Sequence, residues 1–232
     1  MLRCLYTPAL ALALLGCSKT DGAAASTRGA DAASLRPDGP PAALDSSSTV
    51  LAKADAGRII GSPSATVWMI IISDFQCPFC KQWHDESWEA IRKEYVDTGK
   101  IRVAYMNLPL GMHANATPAA HAAMCASVQG KFWPVQDAMF RTQKEWSRLS
   151  DAHPFFESLA RDAGADVDAL RACVKSGVMA PLIQSDEARA AGAGAQSTPT
   201  FFVGSQPLIG AQPLAAFRGA INAALAAKPA GQ

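Results

Sequence analysis

Val67-Trp68-Met69-Ile70-Ile71-Ile72-Ser73-Asp74-Phe75-Gln76-Cys77-Pro78-Phe79-Cys80 decides the fold. Its first six residues are apolar and rich in β-branched side chains, with none of the alternation of a strand that has one wet face. Such a run suits a strand covered on both sides. A C-x-x-C tetrad follows, and Pro78 suits the first position of a helix. Trp88, Ile91 and Tyr95 then recur at helical spacing, and Gly99 supplies a stop. Cys77 is therefore expected at a helix N-terminus, where unpaired amides and the helix dipole favour an anionic sulfur. A thiolate favoured in this way is both a nucleophile and a good leaving group. Cys80 lies one turn on, within bridging distance and more enclosed. Cys77 is thus the sulfur to attack or be attacked, and Cys80 the one to resolve a mixed disulfide. Taken alone, C-x-x-C also fits half a zinc site, a static local disulfide or chance.

Outward from this stretch, Ile101 to Asn107 reads as a second strand, alternating Ile101, Val103 and Tyr105. Four or five helical stretches are expected from about Pro118 to Gly192. Pro118 and Asp166 are candidate starts; Gly130, Gly164 and Gly177 are candidate stops. Strand character returns after Thr198-Pro199, at Thr200-Phe201-Phe202-Val203. A Gly204-Ser205 turn and Pro207-Leu208-Ile209 complete a hairpin. The last helix is expected from about Pro213 to Ala227, with Leu214, Phe217, Ile221 and Leu225 on one face. The order is β-α-β, a helical insertion, then β-β-α, which implies an α/β sandwich with the helical block to one side.

The pairing of Asp74-Phe75-Gln76-Cys77-Pro78-Phe79-Cys80 with Thr198-Pro199-Thr200-Phe201-Phe202-Val203 resembles the thioredoxin superfamily, in its DsbA-type branch with a helical insertion. Gly130-Lys131-Phe132-Trp133 and Gly210-Ala211-Gln212-Pro213 also match, and the resemblance covers about Ile59 to Ala227. It implies a thioredoxin fold with the insertion at about residues 112–195. It further implies a cis Thr198–Pro199 bond, with the Thr198 backbone pairing with an extended substrate segment opposite Cys77. Pro78, Phe79, Thr198 and Pro199 would then form the active-site loop and the substrate-binding surface around catalytic Cys77 and Cys80. Two positions depart from the family. Ile71 stands where many members carry a buried acid, leaving Asp74 as the nearest one. Phe79 stands where strongly oxidising members carry His, which implies a less oxidising couple. The family's insertion can hold a structural disulfide, a role that would fall to Cys125 and Cys173; two separate buried thiols are the alternative. Closing a loop of about 48 residues would contribute roughly 4 kcal/mol in the chain-entropy model.

The resemblance implies a thiol:disulfide oxidoreductase acting on cysteines of secreted or envelope proteins and turned over by a membrane or soluble redox partner. Dithiol oxidation is the expected direction. Reduction or isomerisation is one alternative, and a copper metallochaperone using Cys77 and Cys80 is another. The metal reading would draw on His84 and on Met112-His113; otherwise these histidines, with His121 and His153, are surface or helix-packing residues. The expectation is no resident metal and no cofactor. Trp83, Trp88, Phe132 and Trp133 read as core or groove packing.

The N-terminus adds an address. Met1-Leu2-Arg3 and the apolar stretch from Cys4 to Leu15 form a signal-like segment. It ends at Leu14-Leu15-Gly16-Cys17, which resembles a bacterial lipobox. That implies a signal peptide over 1–16 and acylation at Cys17; an ordinary signal with an incidental cysteine is the alternative. Residues 17–49 carry few large apolar side chains and read as a tether with a reach of roughly 30 Å. They show no pattern suited to a dimerisation module, so a monomeric domain over 50–232 is expected, lipid-anchored in the bacterial envelope and facing the periplasm or extracytoplasmic space. The chain has 232 residues, 49% hydrophobic and 18% charged, which suits a globular domain. A formal charge of +1 gives no general reason to bind nucleic acid. No apolar run reaches the ~18 residues of a spanning helix.

Overall fold

The computed structural model describes residues 46–227. The signal-like segment, Cys4, Cys17 and most of the tether lie outside the described residues. The first element, α1 (Ser46–Gly57), begins inside the stretch read as tether. Its sequence lacks a clear apolar stripe. Tertiary packing holds it: Ala54 is fully buried, and Gly57 lies so close to the later helix carrying Ser127 that a Cβ there would sit 2.5 Å from the Ser127 carbonyl oxygen.

Five strands form one mixed sheet in the order β1-β3-β2-β4-β5. They are β1 (Ile59–Gly61), β2 (Val67–Ser73), β3 (Ile101–Asn107), β4 (Thr200–Val203) and β5 (Gln206–Ile209). β2 is central, parallel to β3 with Ile71 opposite Tyr105, and antiparallel to β4 with Ile71 opposite Phe201. The uninterrupted apolar run follows from this place. Met69 and Ile71 join the main core on one face, while Trp68, Ile70 and Ile72 join a second core on the other. β3 does not alternate as a half-wet strand would, since every residue but Arg102 is buried. β1 escapes sequence reading because it is three residues long at an edge. β5 is the other edge, and it tolerates Pro207 because an edge strand has one side free of ladder bonds.

A continuous helix over residues 78–96 follows β2. It comprises α2 (Pro78–Trp83), a π turn at His84–Trp88, α3 (Glu89–Ile91) and a second π turn at Arg92–Val96. Trp88, Ile91 and Tyr95 all reach the main core. The insertion consists of α4 (Ala116–Val128), α5 (Phe132–Arg141), α6 (Gln143–Trp146), α7 (His153–Asp162), α8 (Val167–Ser176) and α9 (Ala180–Gly192). α4 starts two residues before Pro118, which sits in the first turn where its missing N–H costs no hydrogen bond. Asp166 caps α8 by accepting from the Ala169 amide at 3.0 Å, and Gly177 ends it in the left-handed region at φ 67°. α9 lays Ala190 on the second face of the sheet. α10 (Leu214–Ala226) lays Phe217 and Ile221 on the first.

One buried ionic knot ties the ends of this fold together. Arg58 is fully buried and bonds Asp55 and Asp186. Asp186 also accepts the Asn107 backbone and side-chain N–H groups, both at 3.0 Å. Through it α9 is pinned to the end of β3 and to the chain leaving α1. Cys125 and Cys173 form a disulfide between α4 and α8, with Cα atoms 5.8 Å apart.

Candidate active site

The parallel strands β2 and β3 end on the same side of the sheet, and the C-x-x-C loop begins there. Cys77 is the N-cap of α2 with extended backbone (φ −67°, ψ 124°), and Pro78 occupies the first turn. Its amide donates to the Asp74 carbonyl at 3.2 Å, closing the turn out of β2. Both thiols are free and buried, at 3% exposure for Cys77 and 1% for Cys80. The Thr198–Pro199 peptide is cis, and the Cys77 thiol donates to the Thr198 carbonyl at 3.4 Å. The fold thus brings residues 121 positions apart into contact.

The two sulfurs differ in kind. The hydrogen bond from Cys80 is the largest influence lowering the Cys77 pKa, to about 6; burial opposes it, and Thr198 and the backbone amides of Cys80 and Phe79 add to the lowering. The Thr198 hydroxyl is buried with no partner at ordinary hydrogen-bond distance, a donor held in reserve for the thiolate. Burial pushes Cys80 well above the ordinary thiol range, and the bond it gives to Cys77 and the charge there push it the same way. The Ser73 hydroxyl and the Asp74 amide face the Cys80 sulfur and partly offset this. Tyr105 lies on the same sheet face as Ser73, and its fully buried phenol is pushed well above its ordinary range, mainly by burial.

Asp74 is buried, with both carboxylate oxygens in use. Oδ1 accepts the Gln76 amide at 2.7 Å; Oδ2 accepts the Leu110 amide at 2.9 Å and meets His113 Nδ1 at 2.6 Å. It therefore clamps the loop after β3 to the C-x-x-C turn. Ile71, at the position of the family's buried acid, is a core residue of β2. Phe79 projects outward at 60% exposure, so its influence on Cys77 passes through its amide.

The insertion supplies supports that sequence reading missed. Gln143 Nε2 donates to the carbonyls of Phe75 at 2.7 Å and Cys77 at 3.0 Å. Gln76 Nε2 donates to Ser147 O at 2.9 Å, and Gln76 Oε1 accepts the Asn115 amide at 2.6 Å. Lys81 Nζ donates to Phe140 O at 2.7 Å. Polar side chains next to a reactive cysteine were the available signal, but their partners lie far along the chain.

His84 is turned to Asp137 at 3.0 Å and Asp85 at 3.3 Å, and stacks near Phe140. Neither His84 nor His113 joins the two cysteines, and among the described residues no group of three His, Cys, Asp or Glu is disposed to hold a metal ion. Trp83 packs on Phe201 and Phe217, and Trp88 stacks on Trp133, all as core. The arrangement can therefore do one kind of chemistry well, the transfer of a disulfide between Cys77, Cys80 and a third sulfur reaching Cys77.

Comparisons with known proteins agree with this geometry. The chain is 31% identical over 173 residues to Na(+)/H(+) antiporter NhaA 3 of Salinispora tropica, covering 74% of this chain and 25% of that protein. It thus spans about a quarter of the length of that relative. It is 24% identical over 147 residues to the probable disulfide bond formation protein D of Bacillus cereus, covering 62% of this chain and 68% of the relative. Among solved structures, oxidised BdbD of Bacillus subtilis superposes with a TM-score of 0.67 at 19% identity, over 73% of this chain and 94% of that one. DsbA of Chlamydia trachomatis gives 0.65 at 19% identity, over 79% and 96%. The thioredoxin family model matches residues 53–223, from within α1 to within α10, and the chain belongs to that family.

Proposed function

We propose that this chain is an extracytoplasmic thiol:disulfide oxidoreductase working as a dithiol oxidase. The asymmetry of the two thiols carries the reading, with Cys77 lowered to about 6 and Cys80 raised well above its usual range. In the oxidised protein a substrate thiolate attacks Cys77 Sγ, the Cys77–Cys80 bond breaks, and Cys80 leaves with the electron pair and takes a proton. A second substrate thiolate then attacks the first substrate sulfur and expels Cys77 as a thiolate. The substrate loses two protons and two electrons, and the protein ends as Cys77 thiolate and Cys80 thiol.

Direction follows from the leaving group. A low pKa weakens a thiolate as an attacker but speeds its departure. Cys77 is therefore better suited to be expelled from a mixed disulfide than to open a substrate disulfide. The disulfide bond formation names among the relatives support the same class of reaction. The antiporter name does not carry over: the match covers a quarter of that protein, and no described helix is long and apolar enough to cross a membrane. A redox partner carrying a disulfide or an equivalent two-electron acceptor must restore the Cys77–Cys80 bond.

The address is part of the proposal. Residues 1–16 act as signal, Cys17 carries lipid and residues 17–49, the last four of which open α1, tether the domain, which works as a monomer. Replacing Cys17 with Ser should move the protein from the membrane to the soluble fraction. The central test is Cys80→Ala in cells. Mixed disulfides should accumulate at Cys77, and a complete lack of trapped partners would sink the oxidoreductase reading.

A further inference from the structure

A trough of about 640 Å³ opens beside Pro78, on the insertion side of Cys77. Its walls come from α2, the loop after β3, and α6 with the turn that follows. The floor amides are already committed: Gln143 to the Phe75 and Cys77 carbonyls, Gln76 to Ser147 and Asn115. Side-chain charge is what remains for a ligand, and it is unbalanced. Lys81, Lys144 and Arg148 line the trough against a single carboxylate, Asp85, which Lys81 holds at 2.9 Å. His113, also on the wall, is held by buried Asp74. Lys144 and Arg148 are exposed, four residues apart, and neither is ion-paired with a described residue.

We propose that this trough selects cysteine-bearing segments with carboxylates beside the reacting cysteine, an acidic substrate class; the inference rests on the oxidoreductase reading. The Thr198 backbone and the cation-lined trough flank Cys77 through different elements. An extended segment crossing Cys77 can pair with Thr198 and lay neighbouring side chains toward Lys144 and Arg148. Cationic walls beside a reactive sulfur raise the local concentration and encounter rate of anionic partners. Carboxylates on the segment also raise the pKa of its thiol, which makes each thiolate a stronger attacker but lowers the fraction present, so the gain comes from encounter at the cationic wall.

The test uses the oxidised full chain and two peptide dithiols of equal length, one with Glu and one with Lys flanking both cysteines. Dithiothreitol serves as an uncharged dithiol. The wild type should oxidise the Glu peptide about tenfold faster than the Lys144→Glu/Arg148→Glu variant does at low ionic strength. That advantage should shrink to about twofold near 1 M salt, where screening acts within about 3 Å. The variant should gain on the Lys peptide and oxidise dithiothreitol at the wild-type rate, which also shows that it is folded. Unchanged peptide rates in the variant, with dithiothreitol still oxidised, would overturn the trough proposal and leave the oxidoreductase reading intact. Loss of the cationic pair that abolished binding to anionic vesicles while leaving peptide rates alone would overturn it in favour of a membrane contact. A wild type unable to oxidise dithiothreitol would instead remove the reading on which the proposal rests.

Discussion

Two pairs of cysteines sit in this domain, and their surroundings give them opposite characters. Cys77 and Cys80 are three residues apart at the mouth of a helix, with unpaired amides, a thiol donor and the Thr198 hydroxyl directed at one sulfur. Cys125 and Cys173 lie within α4 and α8, 48 residues apart, and are joined. Cys125 is surrounded by buried alanines and Met124. The first pair has groups that stabilise a thiolate, so its disulfide has a reduced form worth occupying. The second is joined, and its bond links α4 to α8. Cys77, Cys80 and Cys125 are all buried while Cys173 is half-buried, so what sets Cys77 apart is the set of donors aimed at its sulfur rather than burial.

The largest effect should come from removing the sulfur proposed to react. Cys77→Ser is expected to lower dithiol oxidation by about a thousandfold or more, while Cys125→Ala/Cys173→Ala should leave the rate at 25 °C within about twofold. A large rate loss in the double variant would mean that the bridge is part of the redox machinery. Stability should show the reverse order. Loss of the Cys125–Cys173 bridge should cost about 4 kcal/mol, or roughly 8–16 °C in Tm by calorimetry.

The smaller effects concern the sulfur itself. Ultraviolet thiolate absorbance of the reduced protein should titrate with a midpoint near the value of about 6 expected for Cys77, against 9.0 for an unperturbed thiol. Because this acid is stronger in the folded state, it stabilises the reduced protein fully above the unfolded value. The gain shrinks as pH falls from about 9 and is gone below about 6. Denaturation of reduced and oxidised protein across that window should therefore show the reduced form losing its relative advantage toward low pH. Thr198→Val removes one donor and should raise the Cys77 midpoint by about half a unit to one unit. An unmoved midpoint would place the whole lowering on Cys80 and the backbone amides.

Much of the site was legible because it depends on short-range geometry. Strand, C-x-x-C and Pro78 are contiguous, so the position of Cys77 at a helix mouth follows from local propensity. The supports were not legible. Gln143, Asn115 and Lys81 gain meaning only through carbonyls and amides brought near by folding. Asp74 could be seen as the nearest acid, yet its work as a clamp depends on Leu110 and His113 across a loop. α1 and β1 were missed because a helix without an apolar stripe and a three-residue edge strand carry almost no periodic signal. Arg58, one charged residue in an ordinary stretch, became a buried hub only because Asp186 arrives on α9 from 128 positions away.

The sequence by itself determined the α/β class and the order of elements from β2 onward, and it singled out Cys77 and Cys80 as the candidate reactive pair, because these rest on periodicity, composition and neighbours within a few residues. The tertiary structure decided which distant groups reach Cys77, how the turn is held, and where unbalanced charge meets the site. Hydrogen bonds and Coulomb forces act over a few ångströms of space, and the chain does not record which distant residues folding will bring within that range.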